Sequence, residues 1–167
     1  MNRLFLAVPA VLFDYEKLKR DFSDLISGRW TPDENLHVTL YHFGDRFKSA
    51  ALVNKLIPLV LQIEPSEIIG LEFFSRNNIL YARTDNASLE ALYTRITKEL
   101  ALPTKNIFIP HITLMRIKKI RNRELLGQKL RLYDNRSIGS LIPVIDLMQS
   151  HLYSDGARYE LIQRFET

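Results

Sequence analysis

Apolar and polar positions alternate along this chain at two periods, and the switches between them mark its elements. Residues 3–8 (Arg-Leu-Phe-Leu-Ala-Val) are short and almost wholly apolar, as a buried strand is. Residues 14–26 space Leu18, Phe22, Leu25 and Ile26 at helical intervals, and Gly28 follows as a stop signal. A turn-rich stretch, Thr31-Pro32-Asp33-Glu34-Asn35, leads into a second strand at 36–43. A helix is predicted over 49–63, kinked or split by Pro58, and a third strand over 68–74.

The order then recurs. Asn77-Asn78 is a turn between strands, and residues 79–84 match the first strand in size and character. Residues 88–100 form a helix with Leu89, Leu92, Tyr93, Ile96 and Leu100 on one face. A polar, proline-bearing stretch precedes a strand at 108–117, a short helix at 124–132 and a strand at 144–153. Ser154-Asp155-Gly156 closes a hairpin into a last strand at 157–165. From the first strand to the histidine of the second is 34 positions in one half (Arg3 to His37) and 32 in the other (Ile79 to His111). Near-equal spacing of unlike sequence is what an internal duplication leaves. The expected fold is α+β: a single bilobal domain over 1–167, with a repeat of roughly 1–76 and 77–167. Two pseudo-symmetric lobes of antiparallel sheet with outer helices would place equivalent strands face to face across a central cleft.

Composition narrows the chemistry. With 167 residues the chain fits one domain, or two closely packed lobes, and 46% apolar residues suit a packed core. The absence of cysteine excludes disulfides, thiol catalysis and Cys-ligated metal, and it suits a reducing cytosol. Residues 4–8 are too short for a signal peptide before Pro9, and no apolar run can span a bilayer. A soluble, cytoplasmic protein without membrane partners is the expectation. The net charge of +4 is mostly interspersed, apart from Arg116-Ile117-Lys118-Lys119-Ile120-Arg121-Asn122-Arg123. That run reads about equally as a solvated loop and helix start or as a rim holding phosphates.

Two motifs carry the functional signal. Half one contains His37-Val38-Thr39-Leu40 and half two His111-Ile112-Thr113-Leu114, at matching places in the repeat. Residues i and i+2 of a strand point to one face about 6.5 Å apart, so each motif presents an imidazole beside a hydroxyl. One copy would be an ordinary half-exposed strand, but two copies in register with a repeat call for a chemical reason. Opening a cyclic phosphodiester needs a base to deprotonate water and an acid to protonate the departing ribose oxygen, and histidine does either near neutrality. In-line attack wants one such group on each side of phosphorus. The threonine hydroxyls can bind the non-bridging oxygens where charge accumulates. No metal or other cofactor is called for; the histidine spacing matches no common metal motif, and no nucleotide-binding glycine loop is present.

At these residues the chain resembles the two-histidine (2H) phosphoesterases, specifically the bacterial and archaeal RNA 2′,3′-cyclic phosphodiesterases, also called 2′-5′ RNA ligases. Residues 3–7 look like the family's opening strand, 35–40 like its first motif and 108–116 like its second. Gln149-Ser150-His151-Leu152-Tyr153 with Gly156-Ala157-Arg158-Tyr159 is similar to its C-terminal hairpin. The resemblance implies His37 and His111 as acid and base, Thr39 and Thr113 as phosphate ligands, and Arg116 at the family's site arginine. It also implies hydrolysis of RNA ends or nucleotides bearing a 2′,3′-cyclic phosphate to 2′-phosphates, and the joining of tRNA halves in reverse. A monomer is the expectation for the chain. Two departures stand out: Asn106 replaces an arginine common in bacterial members, and Tyr41-His42-Phe43 replaces a more aliphatic stretch.

Strand alternation places Tyr41 on the motif face, where it could stack a base or simply pack, and turns His42 away from it. His151 is read as structural and Trp30 as a cap on the cleft. Two alternatives stay open: action on another 2′-linked ester, such as 2′-5′ oligoadenylate or cyclic ADP-ribose phosphate, and a non-catalytic RNA-end binder.

Overall fold

The computed structural model describes residues 3–104 and 107–166. Its described residues form one network of ten strands, β1 (Leu4–Leu12), β2 (Ile26–Trp30), β3 (His37–Gly44), β4 (Glu67–Ile69), β5 (Leu71–Phe74), β6 (Ile79–Arg83), β7 (His111–Ile120), β8 (Ser137–Leu141), β9 (Val144–Tyr153) and β10 (Gly156–Glu166). Their order is β10-β9-β1-β3-β7-β6-β5, with β2 also on β7, and β8 joining β1 to β4. Every pairing is antiparallel. The fold is α+β, with four α-helices among the described residues on a strongly curled antiparallel sheet.

Strand β1 (Leu4–Leu12) is the hub. Its first half lies between β3 (His37–Gly44) and β9 (Val144–Tyr153), and its last three residues pair with β8 (Ser137–Leu141). One face of the sheet is apolar: Leu4, Leu6, Val8, Val38, Leu40, Ile112, Leu114 and Leu147 are buried there. Helices α1 (Tyr15–Phe22), with Leu18 and Phe22, and α3 (Ala87–Glu99), with Leu89, Leu92 and Ile96, contribute to the same core. The helix starts after β6 (Ile79–Arg83) and β7 (His111–Ile120) are capped alike. Asn86 Oδ1 accepts from Ser88 N at 2.9 Å, and Asn122 Oδ1 from Leu125 N at 3.0 Å, at the head of α4 (Arg123–Arg131).

Several elements differ from the periodic reading, each for a local reason. The first helix stops at Phe22, and Ile26–Trp30 is instead a strand, β2, paired with the end of β7. Gly28 is therefore not a helix stop. A Cβ there would lie 2.3 Å from the Arg116 carbonyl oxygen, so the residue permits a close strand approach. The second helix is only α2 (Ser49–Leu56), because Pro58 lacks the N–H needed to continue it. The third strand divides into β4 (Glu67–Ile69) and β5 (Leu71–Phe74) at Gly70, whose φ of 86° suits glycine. The two pieces then pair with different partners, β4 with β8 and β5 with β6. Strand β8 itself has little periodic signal, being rich in serine and glycine. The Arg116–Arg123 run is not a loop: β7 continues to Ile120, and only the residues after it lead into α4. The final hairpin of β9 and β10 (Gly156–Glu166) falls close to its predicted place.

The two motif strands do not face each other across a gap. They meet edge to edge, with Val38 opposite Ile112 as their sole paired residues among those described, and they diverge on either side. Beyond that point β7 takes β2 as its neighbour, held by Thr31 N donating to Leu114 O at 2.7 Å and Thr31 Oγ1 to Thr113 O at 2.9 Å.

The close approach at Gly28 gives a stability test. Gly28→Ala is expected to cost about 1–3 kcal/mol, because the new methyl meets backbone that cannot yield. Gly127→Ala, inside α4 with nothing nearer than 3.6 Å, should instead stabilise by about 0.5–1 kcal/mol. Urea unfolding of both variants distinguishes the two effects; equal shifts would contradict the packing at Gly28.

Candidate active site

Val38 and Ile112 are fully buried, which sends their sequence neighbours to the opposite, accessible face. His37, Thr39, His111 and Thr113 are all half-buried there. One step from the Val38–Ile112 pair, antiparallel register sets His37 beside Thr113 and Thr39 beside His111. The two histidines are then diagonal across that pair, related by the local twofold axis of the two strands.

Both imidazoles are oriented by the same device. His37 Nδ1 lies 2.6 Å from the Asn35 carbonyl, and His111 Nδ1 lies 2.8 Å from the Ile109 carbonyl, each two residues upstream. A carbonyl only accepts, so each Nδ1 carries a proton and each Nε2 is left for chemistry. His37 Nε2 receives the Thr39 hydroxyl at 3.0 Å. Aromatic rings fix the remaining freedom. Phe5 and Tyr159 flank His37 at 5.3 and 5.5 Å, and Phe74 and Tyr81 flank His111 at 5.4 and 5.5 Å. Tyr81 in turn stacks on Phe74 at 4.0 Å and donates its hydroxyl to Glu72, whose carboxylate also holds Arg83 at 2.9 Å. None of these four rings was singled out from the sequence. Only the tertiary fold brings Tyr159 and Phe74, 122 and 37 positions from their histidines, to the site.

Each motif strand breaks register at the leucine that ends its motif. On β3, Ala7 is opposite Thr39 and Leu6 opposite Tyr41, so Leu40 is an extra residue. On β7, Tyr81 is opposite Thr113 and Leu80 opposite Met115, so Leu114 is extra. These bulges reverse the alternation that follows. Tyr41 consequently leaves the motif face, donating its hydroxyl to Pro103 O at 2.7 Å and packing by Phe43 and Tyr93. His42 takes its place, exposed and 5.7 Å from the Phe5 ring that also touches His37. The equivalent position after the second bulge is Arg116, which is exposed on the strand of His111 and Thr113. Burial raises the Tyr159 phenol, and the Arg116 guanidinium opposes the rise, so the arginine acts on the ring that contacts His37.

Trp30 packs edge-on against Tyr15 beside the core. His151 is paired with Glu160 at 2.9 Å on the hairpin. Asn106 lies outside the described residues. No cluster of three potential metal ligands occurs among the described residues.

The fold is shared with E. coli LigT. Its apo crystal structure matches with a TM-score of 0.72 at 18% identity over 98% of this chain and 96% of that one. The complex with 3′-AMP gives 0.73 at 18%, covering 98% and 97%. No protein-family model matches the sequence. The RNA 2′,3′-cyclic phosphodiesterase of Aquifex aeolicus (strain VF5) is 28% identical, covering 90% of this chain and 87% of that one. That of Aeropyrum pernix is 30% identical over 142 residues, 78% of this chain and 81% of its own length. The chain belongs to the RNA 2′,3′-cyclic phosphodiesterase family. Within that family fold, no helix among the described residues is long and apolar enough to cross a membrane.

Burial holds His37 below the ordinary histidine pKa of 6.5; the positive forms of His42 and His111 add to the effect, and the Asn35 carbonyl opposes it. His42 meets solvent at one edge, yet desolvation of its ring, which lies 5.7 Å from Phe5, lowers it as well. The unfolded chain therefore binds protons at these residues more readily than the folded one. The stability they contribute is complete above pH 6.5 and is lost as pH falls through 6.5 toward the folded values. Melting curves between pH 7.5 and 5 should show Tm falling, with a shallower fall in His37→Gln. An unchanged slope in that variant would contradict the burial of His37.

Proposed function

We propose that the chain hydrolyses 2′,3′-cyclic phosphates on RNA ends or nucleotides to 2′-phosphates, with His37 and His111 as the acid–base pair. The observation that carries the reading is the pair of Nδ1-anchored imidazoles, diagonal across one strand contact with two threonine hydroxyls between them. In the reaction, one Nε2 takes a proton from water as its oxygen bonds to phosphorus. The P–O3′ bond breaks on the far side, and the other Nε2 gives its proton to O3′. Each proton transfer is worth about 10²–10⁴-fold in rate. The hydroxyls of Thr39 and Thr113, with the Arg116 guanidinium, hold the non-bridging oxygens as charge builds on them. Every step is made by protein side chains, so the reaction runs without metal. Both motifs come from one chain, so a monomer suffices. The names of the relatives and the 3′-AMP complex of E. coli LigT support an RNA or nucleotide substrate.

Replacing water with the 5′-hydroxyl of a second RNA gives ligation, the reverse of cleaving a 2′-5′ linkage. That oxygen bonds to phosphorus, O3′ leaves, and a 2′-5′ linkage joins the two ends, tRNA halves being one such pair. A cysteine-free enzyme of this kind suits the cytoplasm.

The test is chromatographic. In EDTA the protein should convert a 2′,3′-cyclic mononucleotide and a cyclic-phosphate-ended RNA to 2′-phosphates. His37→Ala and His111→Ala should each lose about 10²–10⁴-fold in kcat, and Thr39→Ala or Thr113→Ala about 10²–10³-fold. Absence of product from both substrates would contradict the proposal and favour a different 2′-linked ester. A 3′-phosphate product would contradict the assigned leaving group.

A further inference from the structure

The surface beside the site has two ends of opposite character. On the His37 side is a cavity of about 180 Å³ with an apolar floor including Phe5, Ala7 and Met148, and with Glu34 and the ion-paired Asp146 and Arg164 in its wall. On the other side β2 and the end of β7 form a ladder that contains no carboxylate. Arg29, Arg116, Lys118, Lys119, Arg121 and Arg123 are all exposed there, and none has a carboxylate partner among the described residues. In contrast, helix α1 pairs Lys17 with Asp21 at 3.2 Å and Lys19 with Glu16 at 3.0 Å.

Two details of the ladder concentrate its charge. Arg29 and Arg116 are directly opposite, an arrangement of like charges that weakens a strand pair. A register shift between Ser27 and Gly28 leaves Lys118 without a partner, so Lys118 and Lys119 are exposed in succession. The strip starts at the site: Arg116 acts on Tyr159, which contacts His37, and the Arg29 guanidinium reaches the hairpin at Gly156. From Arg116 to Arg121 it runs about 16 Å at strand spacing.

We infer that this strip on β2 and β7 is a track for the sugar–phosphate backbone of single-stranded RNA leading into the site. The inference rests on the proposed function and extends it to the part of the substrate away from the reacting bond. A 2′,3′-cyclic phosphate closes the 3′ end of its RNA, so only nucleotides on the 5′ side remain to be bound. Their phosphates meet no unpaired cation at the first end of the surface, where Glu34 is exposed and Asp146 is neutralised by Arg164, and are attracted by the strip at the other. Contacts to phosphate carry no base information, so the track favours length over sequence. The favoured substrate is then an RNA end, and a cyclic mononucleotide is the poorer one.

Binding and turnover test this separately. The probe for binding is a fluorescent single-stranded RNA of ten nucleotides ending in a 2′-phosphate, titrated at several salt concentrations. The triple variant R29Q/K119Q/R121Q leaves the proposed catalytic and phosphate ligands in place. It should weaken binding about tenfold or more, and lower the slope of log K against log salt by about 2, near 0.7 for each lost phosphate contact. Hydrolysis of a cyclic mononucleotide, too short to reach the substituted residues, should change less than twofold. An unchanged slope would overturn the track. So would an equal loss of mononucleotide hydrolysis and RNA binding, which would assign these residues to the site's own integrity. If the unaltered protein hydrolyses neither the cyclic mononucleotide nor a cyclic-phosphate-ended RNA, the proposed reaction fails, whereas the binding slope still decides the track.

Discussion

The candidate site depends on one backbone contact, the antiparallel pairing of Val38 with Ile112. An antiparallel pair carries a twofold axis between its strands, and identical motifs centred on it become symmetric in consequence. Burying Val38 and Ile112 completely against the helices forces two histidines and two threonines onto the other face. The same apolar contact that stabilises the centre of the sheet therefore assembles the polar group. Divergence of the strands beyond this point matters equally. It admits β2 beside β7 and leaves the accessible face open for a phosphate.

The histidines are held more tightly than strand geometry alone requires. A carbonyl fixes each Nδ1 proton, and two rings limit each imidazole's rotation. Fixing the tautomer directs Nε2 at the space between the motifs, and this preorganisation is what acid–base chemistry at phosphorus requires. The anchoring rings reach the two histidines from unrelated strands, β1 and β10 on one side, β5 and β6 on the other. The bulges at Leu40 and Leu114 add a further pair of positions, His42 and Arg116, to the same face.

Much of this was legible in the sequence because it follows from period. Strands β1, β3, β6, β7 and β9 are apolar runs or alternations long enough to be read, and His-x-Thr spans one period. Alternation fails at Leu40, since a bulge is set by the pairing partner and leaves no mark in the strand's own residues. Tyr41 and His42 therefore exchanged faces. Strands β2 (Ile-Ser-Gly-Arg-Trp) and β8 (Ser-Ile-Gly-Ser-Leu) were illegible for a related reason. Each has a glycine at its centre, which weakens the strand signal of the residues around it, and they become strands because neighbours need close partners. Gly28 against the Arg116 carbonyl and Gly139 against Val11 are such approaches. The basic run around Lys118 has no period of its own; β7 continues through it and makes it an ordered row of cations, without carboxylate partners among the described residues.

The central claim is that one phosphate is held between two Nε2 atoms supplied by the two motifs. Nitrogen NMR of the imidazoles during titration with a nucleoside 2′-phosphate tests it most directly. The account predicts that His37 and His111 Nε2 signals shift together with a single Kd while both Nδ1 protons stay bound to their carbonyls. A response from only one histidine, or movement at Nδ1 in place of Nε2, would contradict it.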